Sequence, residues 1–277
     1  MKRAKSPPSR RRGRRLRVHR LWTAWVTLAT QLSIMVIVLG GWEIGARAGW
    51  VDPFYWSYPS QIYAKFKVFV ESGQALADTS FTFQSTILGF VLGTFSGTVI
   101  GLSFWWSRNL AAVVQPFLIC FEATPKLALA PMIVLVFGIG IASKIAIGVA
   151  LTVIVTTLTT ATAVKAIDPD SEKLLYSLGA TRVQVFAKLV VPSVLPWIVS
   201  SLRINIGLAL TGAVIGEFVS SQHGLGRQIL YAGQTYDVAM IWVGVSVLAA
   251  LSIVMYVAVG QLERLILKGL THDTTAR

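Results

Sequence analysis

The chain has 277 residues, of which 54% are apolar and only 13% are charged, and its mean hydropathy is +0.66. A water-soluble domain of this length carries about twice that share of charged residues, so we expect most of the surface of this chain to face lipid. A membrane protein of this size has room for roughly five to seven spans of about 20 residues each. The single cysteine, Cys120, and the three scattered histidines exclude a disulfide framework and a zinc site.

The net charge of +13 is concentrated in a basic N-terminal tail, residues 1–24. Ten of the 25 Lys and Arg residues lie within the first twenty positions, before the first acidic residue, Glu43. Such a segment can bind nucleic acid or belong to a cleaved signal peptide. Because it abuts the first of several hydrophobic spans, the positive-inside rule favours a cytoplasmic tail that faces membrane lipids, with no nucleic-acid partner and with the first helix retained.

Residues 25–80 are predicted to contain the first transmembrane helix, over about 25–44, and an external helix at the membrane surface. The intervening GWVDPFYWSYPSQ is rich in Trp, Tyr and Pro, a composition typical of the membrane–water boundary. Residues 60–71 then place apolar side chains on one helical face and charged side chains off it. This pattern predicts an interfacial helix.

The second span, over about 81–106, begins a transmembrane core predicted for residues 81–265. It carries a glycine at every fourth position, which lays a stripe along one helical face where the backbone of another helix can approach closely. We expect tight helix packing, without a transport role, at Gly89, Gly93, Gly97 and Gly101.

Residues 110–141 are apolar over a length too great for one simple span, and Glu122, Pro125 and Lys126 interrupt them. Prolines and charges at mid-membrane depth are tolerated only where protein or a wet cavity receives the freed polar groups. A discontinuous helix that faces the protein interior is therefore predicted. Glu122 and Lys126 are four residues apart and can form an ion pair on a helix.

Three further spans are predicted at about 145–164, 190–219 and 239–260. When 110–141 is counted as one span, the chain is an all-α integral membrane protein with six transmembrane helices. Because the count is even and the basic tail lies inside, both termini are expected in the cytoplasm, including a C-terminal tail of residues 266–277. The same count places the loop of residues 165–188 in the cytoplasm.

Arg203 and Glu217 are further ionisable residues within apolar runs, Arg203 nearer the cytoplasmic end of its span and Glu217 nearer the outside. A charge at the bilayer centre costs at least about 2.5 kcal/mol, so such residues must pair, reach the interface or meet water. A structural role at a helix end is favoured over direct contact with substrate. The candidates for a translocation path or gate are Glu122, Pro125, Lys126, Arg203 and Glu217.

The loop of residues 165–188 has the pattern of a helix, a glycine and a second helix. Asp168 or Asp170 can cap the first helix, Pro169 suits its first turn, and Gly179 can adopt the positive φ of a helix stop. The pattern leaves two interpretations open. The segment is either a connecting loop that lies flat on the bilayer or a compact docking element for a soluble partner.

A motif at the end of this loop resembles the cytoplasmic signature of permease subunits of binding-protein-dependent ABC importers: Gly179, nine residues, Leu189, one residue, then Val191-Pro192. Lys173-Leu174-Leu175 stands where that family usually has Glu-Ala-Ala. Other stretches are similar, in the same order, to permeases of the nitrate, sulfonate and taurine branch, and residues 42–60 are similar more weakly. They are TPKLALAPMIVLVFGIGIASK (124–144), SLGATRVQVFAKLVVPSVLPWIVSSLRINIGLAL (177–210) and IGEFVSSQHGLGRQILYA (215–232).

The resemblance implies a type I ABC importer permease fold (MetI-like) with a cytoplasmic coupling hairpin. It also implies a second copy of this permease, two cytoplasmic ABC ATPase subunits and an extracytoplasmic solute-binding protein. No cofactor or enzyme activity is expected on this chain, since ATP and Mg²⁺ bind the ATPase and no G-x-x-x-x-G-K-[ST] phosphate loop is present. The expected ATPase-coupling residues are Glu172, Leu174, Leu175, Tyr176, Leu178, Gly179, Ala180, Arg182, Phe186 and Pro192.

The expected function is ATP-driven import across the bacterial inner membrane by alternating access. A channel should show a repeated pore element, and a membrane-embedded enzyme needs converging His, Asp or Cys side chains; the sequence offers neither. The expected substrate is a small oxyanion (sulfonate or taurine, nitrate or bicarbonate), with a vitamin precursor or an aromatic acid as the alternative. The loop of residues 220–237 should face outward, where it joins the outer gate, meets the binding protein or forms a simple solvated hairpin.

Overall fold

The computed structural model describes the backbone of residues 24–275 and the side chains of residues 25–268. The predicted basic tail, except for its last residue, and the final two residues of the predicted C-terminal tail lie outside the described residues. Within this part of the chain the regular structure is helical, with a 3-10 helix at Lys126–Leu129 and a π-helical turn at Phe186–Val190. The α-helices are α1 (Ala24–Arg47), α2 (Pro53–Trp56), α3 (Pro59–Glu71), α4 (Gln74–Trp106), α5 (Arg108–Ala123), α6 (Ala130–Phe137), α7 (Ile141–Lys165), α8 (Pro169–Ser177), α9 (Arg182–Val185), α10 (Val191–Val219), α11 (Leu225–Gln234) and α12 (Val238–Thr275).

Helix α1 belongs to a first compact unit that ends at Val51. Over Trp25–Arg47 it is long and apolar enough to cross a membrane, with a mean hydropathy of 1.6. Near its end, Arg47 Nε lies 2.7 Å from Glu43 Oε1, because residues four apart face one another on a helix. The other helices, α2–α12, form a second compact unit that begins at Asp52.

Five helical segments of the described chain are long and apolar enough to cross a membrane, and a bent pair makes a sixth. In that pair, α5 is followed by the helical segment Lys126–Phe137 after a bend of 88°. The prediction of an all-α membrane protein with six crossings, one of them discontinuous, is confirmed. The five continuous segments are Trp25–Arg47, Gln74–Trp106, Ile141–Lys165, Arg182–Val219 and Val238–Lys268.

Two helices are longer than the apolar runs that predicted them. Helix α4 begins at Gln74 rather than near residue 81, because Gly73, with a φ of +76°, precedes it and no Gly or Pro then follows before Gly89. Helix α12 continues to Thr275, well past residue 260. Hydropathy marks where a lipid-facing surface ends, whereas residues such as Gln, Leu, Glu and Lys favour continuing the helix into water.

Helices α4, α7 and α10 form the centre of the second unit and pack along small residues. A Cβ added at Gly93 of α4 would lie 1.8 Å from Thr152 Oγ1 of α7, and one added at Gly212 of α10 would lie 2.8 Å from Gly148 Cα of α7. Only glycine allows the helices to approach this closely, as small residues do in membrane bundles generally. The predicted packing stripe lies on the buried side of α4, and its residues are Gly89, Gly93, Gly97 and Gly101.

Buried polar side chains connect the same three helices. Asn205 of α10 is fully buried, and its Nδ2 donates to Thr94 Oγ1 of α4 at 3.2 Å and to Thr156 Oγ1 of α7 at 2.8 Å. Interhelical hydrogen bonds of this kind contribute about 0.6–2 kcal/mol in membrane bundles. They also favour a single register, because a polar group displaced by one turn would be left unsatisfied in an apolar environment.

Helix α3 corresponds to the predicted interfacial helix of residues 60–71, and it packs against α12. Its Phe69 is buried beside Val243, and its Lys65 Nζ lies 2.7 Å from Asp237 Oδ2, just before α12 begins. Phe66, on the same predicted apolar face, remains exposed. The apolar face that predicted a membrane-surface helix is therefore used in part for packing within the protein.

Candidate functional site

The hairpin predicted over residues 165–188 consists of α8, a glycine turn and α9. Asp168 caps α8, because its carboxylate accepts hydrogen bonds from Asp170 N at 3.1 Å and Ser171 N at 3.2 Å, and Pro169 takes the first helical position. The bond from the Asp170 backbone, followed by that from the Ser171 hydroxyl, lowers the pKa of the Asp168 carboxyl below its ordinary value. Of the two predicted capping residues, the structure uses Asp168.

We call α8 the first arm of the hairpin and α9 the second arm. The first arm ends in a turn at Gly179, whose φ is +81°. Ala180 N donates to Leu175 O at 3.0 Å and Gly179 N donates to Tyr176 O at 3.0 Å, which is the Schellman pattern of a helix C-terminus. A Cβ added at Gly179 would meet no atom within 4 Å. Glycine is therefore required by the backbone conformation and not by crowding.

The hairpin exposes an apolar face that includes both arms. Leu174 and Leu178 of the first arm are 59% and 74% exposed, and Val183 of the second arm is 63% exposed. The second arm starts in a capping box, in which Thr181 N donates to Gln184 Oε1 at 2.8 Å and Gln184 N to Thr181 Oγ1 at 3.4 Å. Apolar side chains on a segment fixed at both arms are suited to docking another protein. We call Leu174, Leu178 and Val183 the exposed face.

The remaining predicted coupling residues are less uniform in exposure. Glu172, Leu175 and Ala180 are half-buried, whereas Tyr176 is exposed. Val183 was not in the predicted set, although its apolar position at the start of the second arm was available as a signal. Pro192 is exposed near the start of α10, directly after the π-helical turn and within the continuous helical segment Arg182–Val219.

Arg182 and Phe186 contact the end of α4. The Arg182 guanidinium lies 5.1 Å from the ring centre of Trp106 and 5.4 Å from that of Trp105, and it donates a hydrogen bond to Trp106 O. The Phe186 ring is 5.5 Å from Trp105 and 5.4 Å from Trp106. We call these four residues the aromatic clamp. Both side chains were expected among the residues that shape or contact a docking site; within the chain they also join the hairpin to the end of α4.

Glu122 and Lys126 form the predicted ion pair. Lys126 Nζ lies 2.8 Å from Glu122 Oε2 and 3.2 Å from Glu122 O. The pair sits at the 88° bend between α5 and the next helical segment, and Pro125 is the residue that precedes the 3-10 helix there. The pair thus reinforces the break where proline removes a backbone donor.

Arg203 pairs with Glu263 of α12 through its Nε, and its guanidinium lies 5.7 Å from the ring centre of Tyr256. Among the predicted path residues, only Glu122, Pro125 and Lys126 therefore lie together. Arg203 has its partners on α12, and Glu217 has different partners at the far end of α10. The structure does not assemble these residues into one polar site.

Glu217 is 1% exposed and holds the loop that follows α10. Its Oε1 accepts from Thr82 Oγ1 of α4 at 2.8 Å, and its Oε2 accepts from Gly226 N at 2.7 Å. Gly224, with a φ of +111°, lies so close that an added Cβ would be 2.3 Å from Glu217 Cδ. The loop of residues 220–226 is therefore folded tightly onto the carboxylate.

A second buried carboxylate holds the same loop. Asp78 of α4 accepts from Gly224 N at 2.8 Å and from Gln228 Nε2 at 2.7 Å. Buried Lys144 donates to Ile139 O at 2.7 Å and to Ser220 O. We call Asp78, Thr82 and Glu217, with the loop they bind, the carboxylate lock. Asp78 and Lys144 were missed because they lie at or beyond the ends of predicted spans.

The carboxylates of the lock accept hydrogen bonds from backbone N–H groups of the loop and from the side chains of Thr82 and Gln228. Within residues 25–268, no three His, Cys, Asp or Glu side chains converge in a way that could hold a metal ion. The two features that the geometry singles out are thus a hairpin with an exposed apolar face at one end of the central helices and a locked loop at the other end of α10.

Residues 89–270 match the family described as binding-protein-dependent transport system inner membrane component. The chain is 32% identical over 240 residues to the formylaminopyrimidine transport permease protein ThiX of Halalkalibacterium halodurans, covering 86% of this chain and 94% of that protein. It is 30% identical over 244 residues to the riboflavin transport system permease protein RibX of Chloroflexus aurantiacus, covering 88% and 91%. It is 26% identical over 240 residues to the putative aliphatic sulfonates transport permease protein SsuC of Bacillus subtilis, covering 86% of each.

Two solved structures share the fold. A bacterial ABC transporter involved in the import of alginate has a chain that matches with a TM-score of 0.60 and 17% identity, over 87% of this chain and 95% of that one. The inward-facing MetNI methionine ABC transporter matches with a TM-score of 0.57 and 19% identity, over 70% and 95%. The type I importer permease fold expected from the sequence is thereby confirmed. The chain belongs to the family of binding-protein-dependent transport system inner membrane components, the permeases of ABC importers.

Proposed function

We propose that the hairpin of residues 165–188 docks a cytoplasmic ATP-hydrolysing subunit, and that two copies of this permease with two such subunits form the importer. The observation that carries the proposal is the exposed face, where Leu174, Leu178 and Val183 project from two separately capped arms. A rigid apolar knob can bind a groove at low conformational cost. ATP and Mg²⁺ would be bound by the partner, and a separate solute-binding protein would deliver substrate to the opposite side.

The distribution of cations supports a cytoplasmic position for the hairpin. Arg108 at the start of α5 and Lys165 at the end of α7 line one cavity beside α8, and Lys188 lies in the π-helical turn after α9. At the other end of α7, Lys144 is fully buried. Positive charge that accumulates at one end of a membrane bundle favours the cytoplasm at that end.

The docking proposal is tested by placing a charge on the exposed face. Leu178→Asp should weaken association with the ATPase by at least tenfold, because an unpaired carboxylate would be buried in an apolar contact. Leu76→Asp is the matched control, since Leu76 is 78% exposed on the first turn of α4, away from the hairpin. Co-purification of the two subunits from membranes measures the effect. Equal recovery of the ATPase with both variants would refute docking at this face.

We propose a small oxyanion of the sulfonate, taurine, nitrate or bicarbonate class as the substrate, and the similarity to SsuC supports this class. A second candidate, a pyrimidine-type or flavin-type vitamin compound, is favoured by the higher identity to ThiX and RibX. The two are distinguished by uptake of labelled taurine into vesicles containing the complete importer, with unlabelled formylaminopyrimidine or riboflavin as competitor. Taurine uptake that resists both competitors supports the oxyanion, whereas absent taurine uptake refutes that member of the class.

A further inference from the structure

A cavity of about 670 Å³ lies beside the hairpin, and cationic side chains from separate elements line it. Arg108 opens α5, Lys165 ends α7, and Arg182 opens α9. Against these three cations the cavity wall carries a single carboxylate, that of Glu172. The rest of the wall is largely apolar and includes Phe104, Trp105, Ala111, Ala112, Val164 and Ile167.

Two of the cations are held in place by contacts within the chain. Lys165 Nζ donates to Gln115 Oε1 at 2.8 Å, which leaves two further N–H donors on the ammonium group. Arg182 is held by the aromatic clamp. Arg108 is exposed, and no hydrogen bond or ion pair of its side chain lies within the described part of the chain. The cavity therefore concentrates positive charge that the surrounding side chains leave uncompensated.

We propose that this cavity binds the phosphate headgroup of an anionic phospholipid. Charge-assisted hydrogen bonds from Arg and Lys suit phosphate oxygens, and basic pockets between transmembrane helices are recurrent sites for lipid headgroups. The apolar part of the wall suits the glycerol and the first methylene groups of a lipid better than it suits a free inorganic ion. The cavity also lies where α4, α5 and α7 reach the end of their apolar length, which is the depth of the headgroup layer.

The position of the cavity gives the lipid a regulatory role, and this part of the inference rests on the proposed docking of an ATPase to the hairpin. Glu172 and Tyr176 of α8 and Arg182 of α9 are cavity residues, so both arms of the hairpin contribute to the wall. A phosphate bound to Arg108, Lys165 and Arg182 would link α5 and α7 to the second arm. Lipid occupancy would thereby fix the hairpin relative to the central helices and strengthen its coupling to them.

The binding step is tested on the full chain, without an ATPase. Wild-type protein in nanodiscs of mixed phosphatidylglycerol and phosphatidylcholine should retain phosphatidylglycerol selectively when it is released for native mass spectrometry. Arg108→Gln combined with Lys165→Gln should lower the apparent affinity for phosphatidylglycerol at least tenfold. The matched control is Lys188→Gln with Arg264→Gln, which removes two exposed cations that do not line the cavity and should leave retention unchanged.

Competition distinguishes lipid from a free anion. Millimolar inorganic phosphate or taurine should displace little of the retained phosphatidylglycerol. Loss of selectivity only in the cavity variant supports the proposal, whereas equal retention in the cavity and control variants, or complete displacement by inorganic phosphate or taurine, overturns it. If the double variant elutes as aggregate, Lys165→Arg, which keeps the charge and should keep retention, is compared with Lys165→Gln. ATPase docking is measured separately with Leu178→Asp, so either proposal can fail alone.

Discussion

Glu217 Oε2 accepts a hydrogen bond of 2.7 Å from Gly226 N, nine residues further along the chain. Together with Thr82 on α4, this contact fixes the loop after α10 to the centre of the protein. Because the loop donates through a backbone N–H group that is buried from water, the loop cannot open without leaving this donor unsatisfied or admitting water. The loop is thus a latched element at the end of α10 opposite the hairpin.

Glu217→Ala should release this loop. A buried donor left without a partner costs about 1–3 kcal/mol, so the open state should become roughly five- to 150-fold more populated. The measurement is the rate of maleimide labelling at Leu225→Cys, a loop position that is 0% exposed in the latched state, in a Cys120→Ser background. Glu217→Gln is the control, because its amide can still accept from Gly226 N and donate to Thr82 Oγ1. Identical labelling rates for wild type, the alanine variant and the glutamine variant would show that the carboxylate does not hold the loop.

Gly212→Ala should destabilise the packing of α10 against α7. The added Cβ would lie 2.8 Å from both Gly148 Cα and Gly148 N, and backbone atoms cannot rotate away as a side chain can. Overpacking of this kind costs about 1–3 kcal/mol. Gly207→Ala on the same helix meets nothing within 4 Å and should be neutral or stabilising. The midpoint temperatures of thermal unfolding of the two variants are measured in detergent. A lower midpoint for Gly207→Ala than for Gly212→Ala would contradict the packing argument.

The effect of a substitution at Gly179 on transport should depend on how well the new residue tolerates a positive φ, and not on side-chain contacts. Its φ of +81° disfavours L residues by roughly 1–2 kcal/mol, while the open space around it allows any side chain. Transport by the complete importer should therefore fall in the order Asn, Ala, Val at this position, because Asn tolerates the left-handed region best and a β-branched residue tolerates it least. Gly140→Ala, which meets no atom within 4 Å and has no positive φ, is the control. A reversed order would indicate that side-chain contacts decide the effect.

Local patterns predicted much of this architecture. The six crossings, the glycine stripe on α4 and the helix stop at Gly179 are each visible within a few neighbouring residues, because helical periodicity and special backbone positions are local properties. The carboxylate lock is not local: Asp78 and Gly224 are 146 residues apart, and each looks like an ordinary residue near the end of a span. No periodicity encodes which loop will meet which carboxylate.

The hairpin also shows that sequence patterns predict local features but not long-range contacts. Leu174 and Leu178 were among the coupling residues expected from the family resemblance, and both are exposed. Arg182 was expected to give a polar contact to a partner, and the sequence did not indicate its contact with Trp106, which lies 76 residues away. The sequence could show that a charged and an aromatic residue follow Gly179, but only the fold shows that α4 ends beside them.

The Asp168 cap should make the first arm of the hairpin sensitive to acid. Because hydrogen bonds lower the folded-state pKa of this carboxyl, its contribution to stability is present above the ordinary carboxyl pKa of about 3.9 and is lost as the pH falls through the lowered value. Amide exchange of residues 170–177, corrected for intrinsic rates, should be unchanged between about pH 5 and 8 and faster in stronger acid. Asp168→Asn should remove the pH dependence while keeping the cap. Protection that declines from pH 8 to 5 would contradict this assignment.

The aromatic clamp should transmit motion of the hairpin to α4. Arg182→Lys keeps the charge but loses the planar stacking on Trp105 and Trp106, which contributes about 0.5–1 kcal/mol at exposed sites. If the clamp relays motion, the variant should still bind the ATPase and hydrolyse ATP, yet import less solute per ATP consumed. Arg227→Lys, which alters a single stacking contact on Tyr231 near the locked loop, is the control and should keep the wild-type ratio. Loss of ATPase binding in Arg182→Lys would instead place this side chain in the docking contact itself.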